Sequence, residues 1–276
     1  MNRRLSGRIG INLIGLLVFA VMTFPVYWMV STAFKEGRNI QTDSPQFFPS
    51  PATLANFDDA IHRTYFWDAI KNSLLVVTAV VAFSLVVGFL AALALAKFRF
   101  YGRGAFIVLI LGVQMVPLNA LIIPLYVQLS RAGLTNELSG VIITYLTFVL
   151  PFTVWTLRGF MLGIPEELEE AAMVDGSTRF GAFVRILLPL VAPGMVATSI
   201  FAFVVAWNEF LIAYVFLNDA QKQTASVWLA GFTTSRGTEW GPLMASATLI
   251  SLPVLVFFLL IHRKIAFGLT AGAVRG

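Results

Sequence analysis

The carboxylates of this chain are crowded into one place. Residues 166–176 read EELEEAAMVDG and hold five of its fourteen acids. Glu166, Glu167, Glu169 and Glu170 follow Pro165 and precede Ala171, Ala172 and Met173. That order suits the start of a helix, whose dipole favours acids in the first turn. Elsewhere, residues able to do chemistry are sparse. Cysteine is absent, which removes disulfides and thiolate metal ligands. His62 and His262 lie far apart and read as interfacial residues, so no metal site is expected. No Gly-Lys pair occurs, so the phosphate-cradling loop Gly-x-x-x-x-Gly-Lys-Ser/Thr is missing. The chain is expected to have no nucleotide site of its own and no catalytic residue. A few polar side chains fall inside apolar stretches: Gln114 and Asn119 around Pro117, and Asn208 and Glu209 beside Trp207.

The elements that must carry these residues are membrane helices. The chain is 58% hydrophobic and only 12% charged, about half the charge of a soluble domain. Uncharged runs extend over 9–34, 72–96, 104–130, 138–157, 186–208 and 240–261. A bilayer core needs roughly 20 apolar residues as helix, and unpaired backbone groups are not tolerated in lipid. The reading is an all-α integral membrane protein with six spans, near 10–33, 72–96, 105–129, 138–160, 195–217 and 242–261. The basic leader Arg3, Arg4 and Arg8 resembles a signal peptide. The apolar run behind it exceeds the 7–15 residues of such a peptide, so it is read as an uncleaved helix.

The net charge of +5 does not point to nucleic acid, because the bases are distributed by side. With the amino terminus inside, twelve of the nineteen Lys and Arg fall in inside segments; KFRFYGR (97–103) holds three bases and no acid. This is the positive-inside bias, and it makes both termini cytoplasmic. Three divisions follow: 1–69, the first helix plus an outer segment; 70–264, the core; and 265–276, a cytoplasmic tail. Within the outer segment, ATLANFDDAI could form a short amphipathic helix after the prolines at 45, 49 and 51.

The acidic patch sits in the inside loop 159–194. Pro165 suits a first helical turn, Gly176 a left-handed C-terminal cap, and Ser177 or Thr178 the N-cap of a second helix. That second helix would show Phe180, Phe183, Ile186 and Leu187 on one face, and Pro189 and Pro193 would break the chain before the fifth span. A helix of about ten residues is marginal alone in water. Either it packs on its own membrane domain or a separate cytoplasmic protein receives it.

The run EAAMVDGSTRFGAFVRILLPLVAPG (170–194) resembles the signature loop of permease subunits from binding-protein-dependent ABC importers. The family pattern is Glu-Ala-Ala, three residues, Gly, nine residues, Ile-x-Leu-Pro; here it is Glu170-Ala171-Ala172, Gly176, then Ile186, Leu188 and Pro189. FFPSPATLANF, MVPLNALIIPLY, AWNEFLIA and GLTAGAVRG are similar to segments of the carbohydrate branch, the maltose-type six-helix partner. The resemblance implies a type I ABC importer permease fold in a bacterial or archaeal plasma membrane. It implies that the loop is a coupling helix on a separate ATPase, with Glu170, Ala171, Ala172, Asp175, Gly176 and Arg179 as coupling residues. Arg179 and Arg185 would contact either that partner or lipid headgroups. It implies a second permease, two ATPase subunits that bind ATP and Mg, and an extracytoplasmic sugar-binding protein. The tail would reach toward the ATPase. A substrate pathway would use Gln114, Asn119, Trp207, Asn208 and Glu209, with Trp207 stacking on a sugar ring; the other reading of these residues is helix packing. A different cargo such as glycerol-phosphate, or an ion-driven secondary carrier, are the alternatives.

Overall fold

The computed structural model describes the backbone of residues 2–272 and the side chains of residues 11–261. The chain is mostly helical: α1 (Asn2–Ala33), α2 (Ala55–His62), α3 (Phe66–Lys97), α4 (Arg103–Gln114), α5 (Leu118–Arg131), α6 (Leu138–Leu162), α7 (Glu167–Val174), α8 (Arg179–Ala182), α9 (Leu188–Asn208), α10 (Leu211–Phe216), α11 (Ala225–Ala230) and α12 (Trp240–Gly272). A two-residue hairpin, β1 (Thr233–Thr234) and β2 (Gly237–Thr238), precedes α12. Among the described residues, five helical stretches are long and apolar enough to cross a membrane, Ile11–Ala33, Phe66–Lys97, Leu138–Leu162, Arg179–Asn208 and Trp240–Ile261, and the bent pair Arg103–Gln114 with Leu118–Arg131, counted as one span, makes six.

The expected third span, 105–129, is broken into two helices, α4 and α5, bent by 103° at the break between them. Pro117 stands at the break in extended backbone, with φ −61° and ψ 127°. Backbone bonds close the break, from the Met115 N–H to the Gly112 carbonyl and from the Ala120 N–H to the Pro117 carbonyl. At 1.5 Å per residue the two pieces are about 18 and 21 Å long, so neither crosses a core of about 30 Å alone.

The fifth span also departs from expectation. Pro189 and Pro193 do not break it; helix runs from Arg179 to Asn208. Residues Phe183–Leu187 form a π-helical turn, in which the Leu188 N–H bonds the Phe183 carbonyl. Pro189 then falls at the start of α9, where its missing N–H matters least. The break comes later, after Asn208, and the expected span 195–217 is divided between α9 and α10.

The chain clusters into two compact units: residues 1–66 with 229–252, and residues 67–228 with 253–276. The sequence division near residue 70 did not join 229–252 to the first helix. In the first unit, Asn56 donates to the carbonyls of Ala33 at 2.9 Å and Lys35 at 2.7 Å. A Cβ at Gly241 would collide with that Asn56 amide. Arg63 makes a two-pronged pair with Glu239, at 2.8 and 3.1 Å, and covers the Phe232 ring. These long-range contacts could not be read from local sequence. Lys35 is buried with its ammonium 4.0 Å from the centre of the Trp28 ring. Burial pushes its pKa below the usual lysine value.

In the second unit, α3, α6 and α9 share a core of Phe89, Ala92, Leu95, Leu157, Met161 and Val191. Glycines let the helices approach, as small residues do in membranes. A Cβ on Gly88 would stand 2.6 Å from Thr153 Cγ2, and one on Gly194 would stand 2.6 Å from the Phe160 ring. Buried hydroxyls are satisfied within their own helices, Thr153 by the Val149 carbonyl and Thr198 by the Gly194 carbonyl. The backbone of α12 continues to Gly272. Residues 273–276 of the tail, and the side chains of Arg3, Arg4, Arg8, His262, Arg263 and Lys264, lie outside the described residues.

Candidate functional site

The acidic patch folds as one short helix and an elbow. α7 begins at Glu167, with Glu167, Glu169 and Glu170 in its first turn, where the free N–H groups favour negative charge. Pro165 lies just ahead of the helix rather than inside its first turn, so it directs the entry of the chain. The far end is closed by backbone alone. Gly176 takes φ +91°. Its N–H bonds the Met173 carbonyl at 3.1 Å, and the Ser177 N–H bonds Ala172 at 2.9 Å. This double closure is the Schellman arrangement, which needs a left-handed residue. Thr178, rather than Ser177, caps the next helix, accepting from the Gly181 N–H at 3.1 Å. α8 is not a separate surface helix, because it continues through the π-turn into α9.

The expected coupling residues come together here, on an open surface. Glu170, Ala171, Asp175, Gly176 and Arg179 are exposed, and Ala172 is buried against the rest of the unit. Apolar side chains share the open face: Val174 is 88% exposed and Phe180 74%. A short helix with charge and grease both uncovered is shaped for contact with another surface. Its inner side is anchored by an ion pair that sequence reasoning missed: Lys97 Nζ lies 2.8 Å from Glu169 Oε1. A cavity of about 420 Å³ opens beside this pair, lined by Lys97, Phe98, Glu166, Glu169, Arg179 and Phe180 among others. The one sequence signal was that Lys97 closes an uncharged run.

The intramembrane polar residues are dispersed. Glu209 is not in mid-helix; it stands in the break between α9 and α10. Its carboxylate accepts from the Tyr145 hydroxyl at 2.6 Å and from the N–H groups of Ile212 at 2.9 Å and Ala213 at 3.2 Å. Its carbonyl accepts from Ser226 at 2.8 Å. Glu209 therefore caps α10 and ties it to α6. Trp207 is buried and stacked on Phe203, 5.6 Å between centres and 6° from parallel. Asn208 is exposed and bonds the Val204 carbonyl one turn back. Gln114 lines a cavity of about 320 Å³ with Thr147, Phe148, Pro151 and Phe201. Asn119 is exposed at the start of α5.

A helical membrane chain with this elbow after α7 matches a known family over residues 84–270, described as the inner membrane component of binding-protein-dependent transport systems. The chain belongs to that family. This inner-membrane component is 43% identical over 276 residues to the diacetylchitobiose uptake system permease protein DasC of Streptomyces coelicolor, covering 100% of both chains. It is 35% identical over 263 residues to the trehalose transport system permease protein SugB of Mycobacterium tuberculosis, covering 94% of this chain and 95% of that one. Among solved structures it resembles a chain of a bacterial ABC transporter involved in import of the acidic polysaccharide alginate. That likeness has a TM-score of 0.80 at 21% identity over 94% of this chain and 96% of the other. It shows a shared fold.

Proposed function

We propose that this chain is the permease subunit of an ATP-driven sugar importer, and that α7 with its Gly176 elbow docks on a separate ATPase. The observation that carries the docking reading is the uncovered face of α7 and the elbow, held rigid from behind. Glu170, Asp175 and Arg179 meet polar or charged groups of the ATPase, Ala171 lets the surfaces approach closely, and Ala172 seats α7 on its own unit. The family and the uptake systems in which its relatives work support a di- or oligosaccharide cargo delivered by an extracytoplasmic binding protein. A second permease, similar to this one, completes the pathway. Two ATPase subunits bind ATP and Mg; this chain supplies no nucleotide site. Both termini face the cytoplasm, as the bias of Lys and Arg requires.

ATP binding closes the ATPases and draws the coupling helices together. The spans then open outward, and hydrolysis resets them. Each state must differ in its contacts for the cycle to be driven. Gln114, Asn119 and Asn208 are the exposed polar groups suited to sugar hydroxyls. Trp207 and Glu209 keep the end of α9 in shape beside that path.

The test is purification of the tagged chain from its own membrane in mild detergent, with mass spectrometry of what accompanies it. Reconstitution and uptake of radiolabelled N,N′-diacetylchitobiose and trehalose, with and without ATP, follow. An ATPase and a second permease in the complex, and ATP-dependent uptake of one sugar, are expected. Uptake by the chain alone on an ion gradient overturns the reading.

A further inference from the structure

Docking at α7 moves a sugar only if the motion reaches the other side of the membrane. Within the second unit, α7 is joined to the last residue of α3 by the Lys97–Glu169 pair, whose side chains are only 14% and 24% exposed. A pair so far withdrawn from water is screened less than a surface pair. The opposite end of α3 is also held. Asn72 Nδ2 donates to the carbonyls of Gln221 at 2.9 Å and Gln223 at 3.1 Å. Ser73 Oγ accepts from the Ala225 N–H at 2.8 Å. Both attachments lie on one helix of 32 residues, and from Asn72 to Lys97 it runs about 38 Å at 1.5 Å per residue.

α3 differs from the other spans in composition. Pro25 lies in α1, Pro117 at the α4–α5 break, Pro151 in α6, Pro193 in α9 and Pro253 in α12. α3 has no proline, the commonest cause of a kink. Its one glycine, Gly88, is pressed against Thr153.

We infer that α3 is a rigid rod that carries the motion of α7 to the segment 221–225 on the outer side. Lys97 and Glu169 are positioning residues at the receiving end, and Asn72 and Ser73 at the delivering end. This rests on the reading of α7 as the docking helix. Nothing else about the mechanism needs to change: a two-state element biased at one end reports at the other.

The absence of cysteine makes the test clean, because a single Ala220→Cys reporter beside the segment labels without background. Ala220 is exposed. The reporter chain is purified with its accompanying ATPase, placed in nanodiscs and treated with a polar maleimide, with and without ATP and Mg. ATP should change the labelling rate at 220 about fivefold or more. Lys97→Glu and Asn72→Leu should each reduce that change to under about twofold while ATP hydrolysis continues. Lys97→Arg, and the charge swap Lys97→Glu with Glu169→Lys, should restore it. A bridge that serves only stability would lower yield and leave the ATP-dependent ratio intact. Persistence of the ratio in Lys97→Glu, or failure of both Lys97→Arg and the swap to restore it, overturns the rod and leaves docking standing. If no ATPase accompanies the reporter chain, the docking reading fails, and the rod falls with it.

Discussion

Gly176 illustrates how a single residue sets the aim of α7. Its φ is +91°, and nothing lies within 4 Å of where a Cβ would stand. Substitution there costs backbone strain and no steric clash. Gly176→Ala should lower stability by about 1–2 kcal/mol and reduce ATP-driven uptake, with Gly176→Asn milder because Asn tolerates the left-handed region. Gly176→Pro, with φ fixed near −65°, should abolish uptake. Transport assays of the three, in that order, check the claim. Glu209 makes a second residue-scale prediction. Tyr145→Phe removes one donor and should cost about 1–2 kcal/mol, whereas Glu209→Leu strands three donors and should cost more; thermal unfolding in detergent separates them. The Arg63–Glu239 pair gives a pH dependence. Hydrogen bonding to Arg63 holds the Glu239 carboxyl below its usual 4.5. A depressed carboxylate stabilises the fold above its unfolded pKa, and that contribution is lost as pH falls through the folded value. The Glu239 side chain is 51% exposed, so solvent discounts the effect to under about 1 kcal/mol. Glu239→Gln should flatten the acid limb of a stability-against-pH curve by lowering stability at neutral pH by that amount and leaving the acid end little changed.

At the scale of elements, the contact between α3 and α6 turns on Gly88 and Thr153. Gly88→Ala would put a methyl 2.6 Å from Thr153 Cγ2, an overpacking expected to cost about 1–3 kcal/mol. Thr153→Ser removes that Cγ2 and keeps the hydroxyl bonded to Val149. The double variant should therefore recover most of the lost thermal stability, and a double-mutant cycle measures the recovery. Elements were legible in the sequence where apolar runs were long. Proline was the misleading signal. In water it marks a helix end, but in lipid neighbouring groups and π-turns absorb it, so helix runs through Pro189 and Pro193. At Pro117 the same residue accompanies a 103° bend. Nothing in the two local sequences separates these outcomes, which are decided by packing. The caps were readable because their physics is local: Gly176 closes α7 and Thr178 opens α8 with bonds inside a few residues.

Across the whole molecule, the sequence carried the membrane class, the acidic loop and the family resemblance, because each rests on contiguous residues. It did not carry the contacts that cross long stretches of chain. The pairing of Lys97 with Glu169, of Asn72 with 221–223 and of Arg63 with Glu239 depends on which helices become neighbours. The same gap explains why Glu209 looked available to a ligand when its oxygens are taken up by Tyr145 and α10. Among the described residues, the 18-residue apolar window within Ile11–Ala33 is 0% buried. The constraint begins only near Tyr27 and Ser31, both of which donate to the Phe47 carbonyl. Within this chain, then, residues 11–26 are specified by composition and residues 27–35 by identity. A shuffled order of the same letters over 11–26 should leave the folding of the remainder untouched, while the same shuffle over 27–35 should not. Divergence among sequences descended from this one should be steepest over residues 11–26.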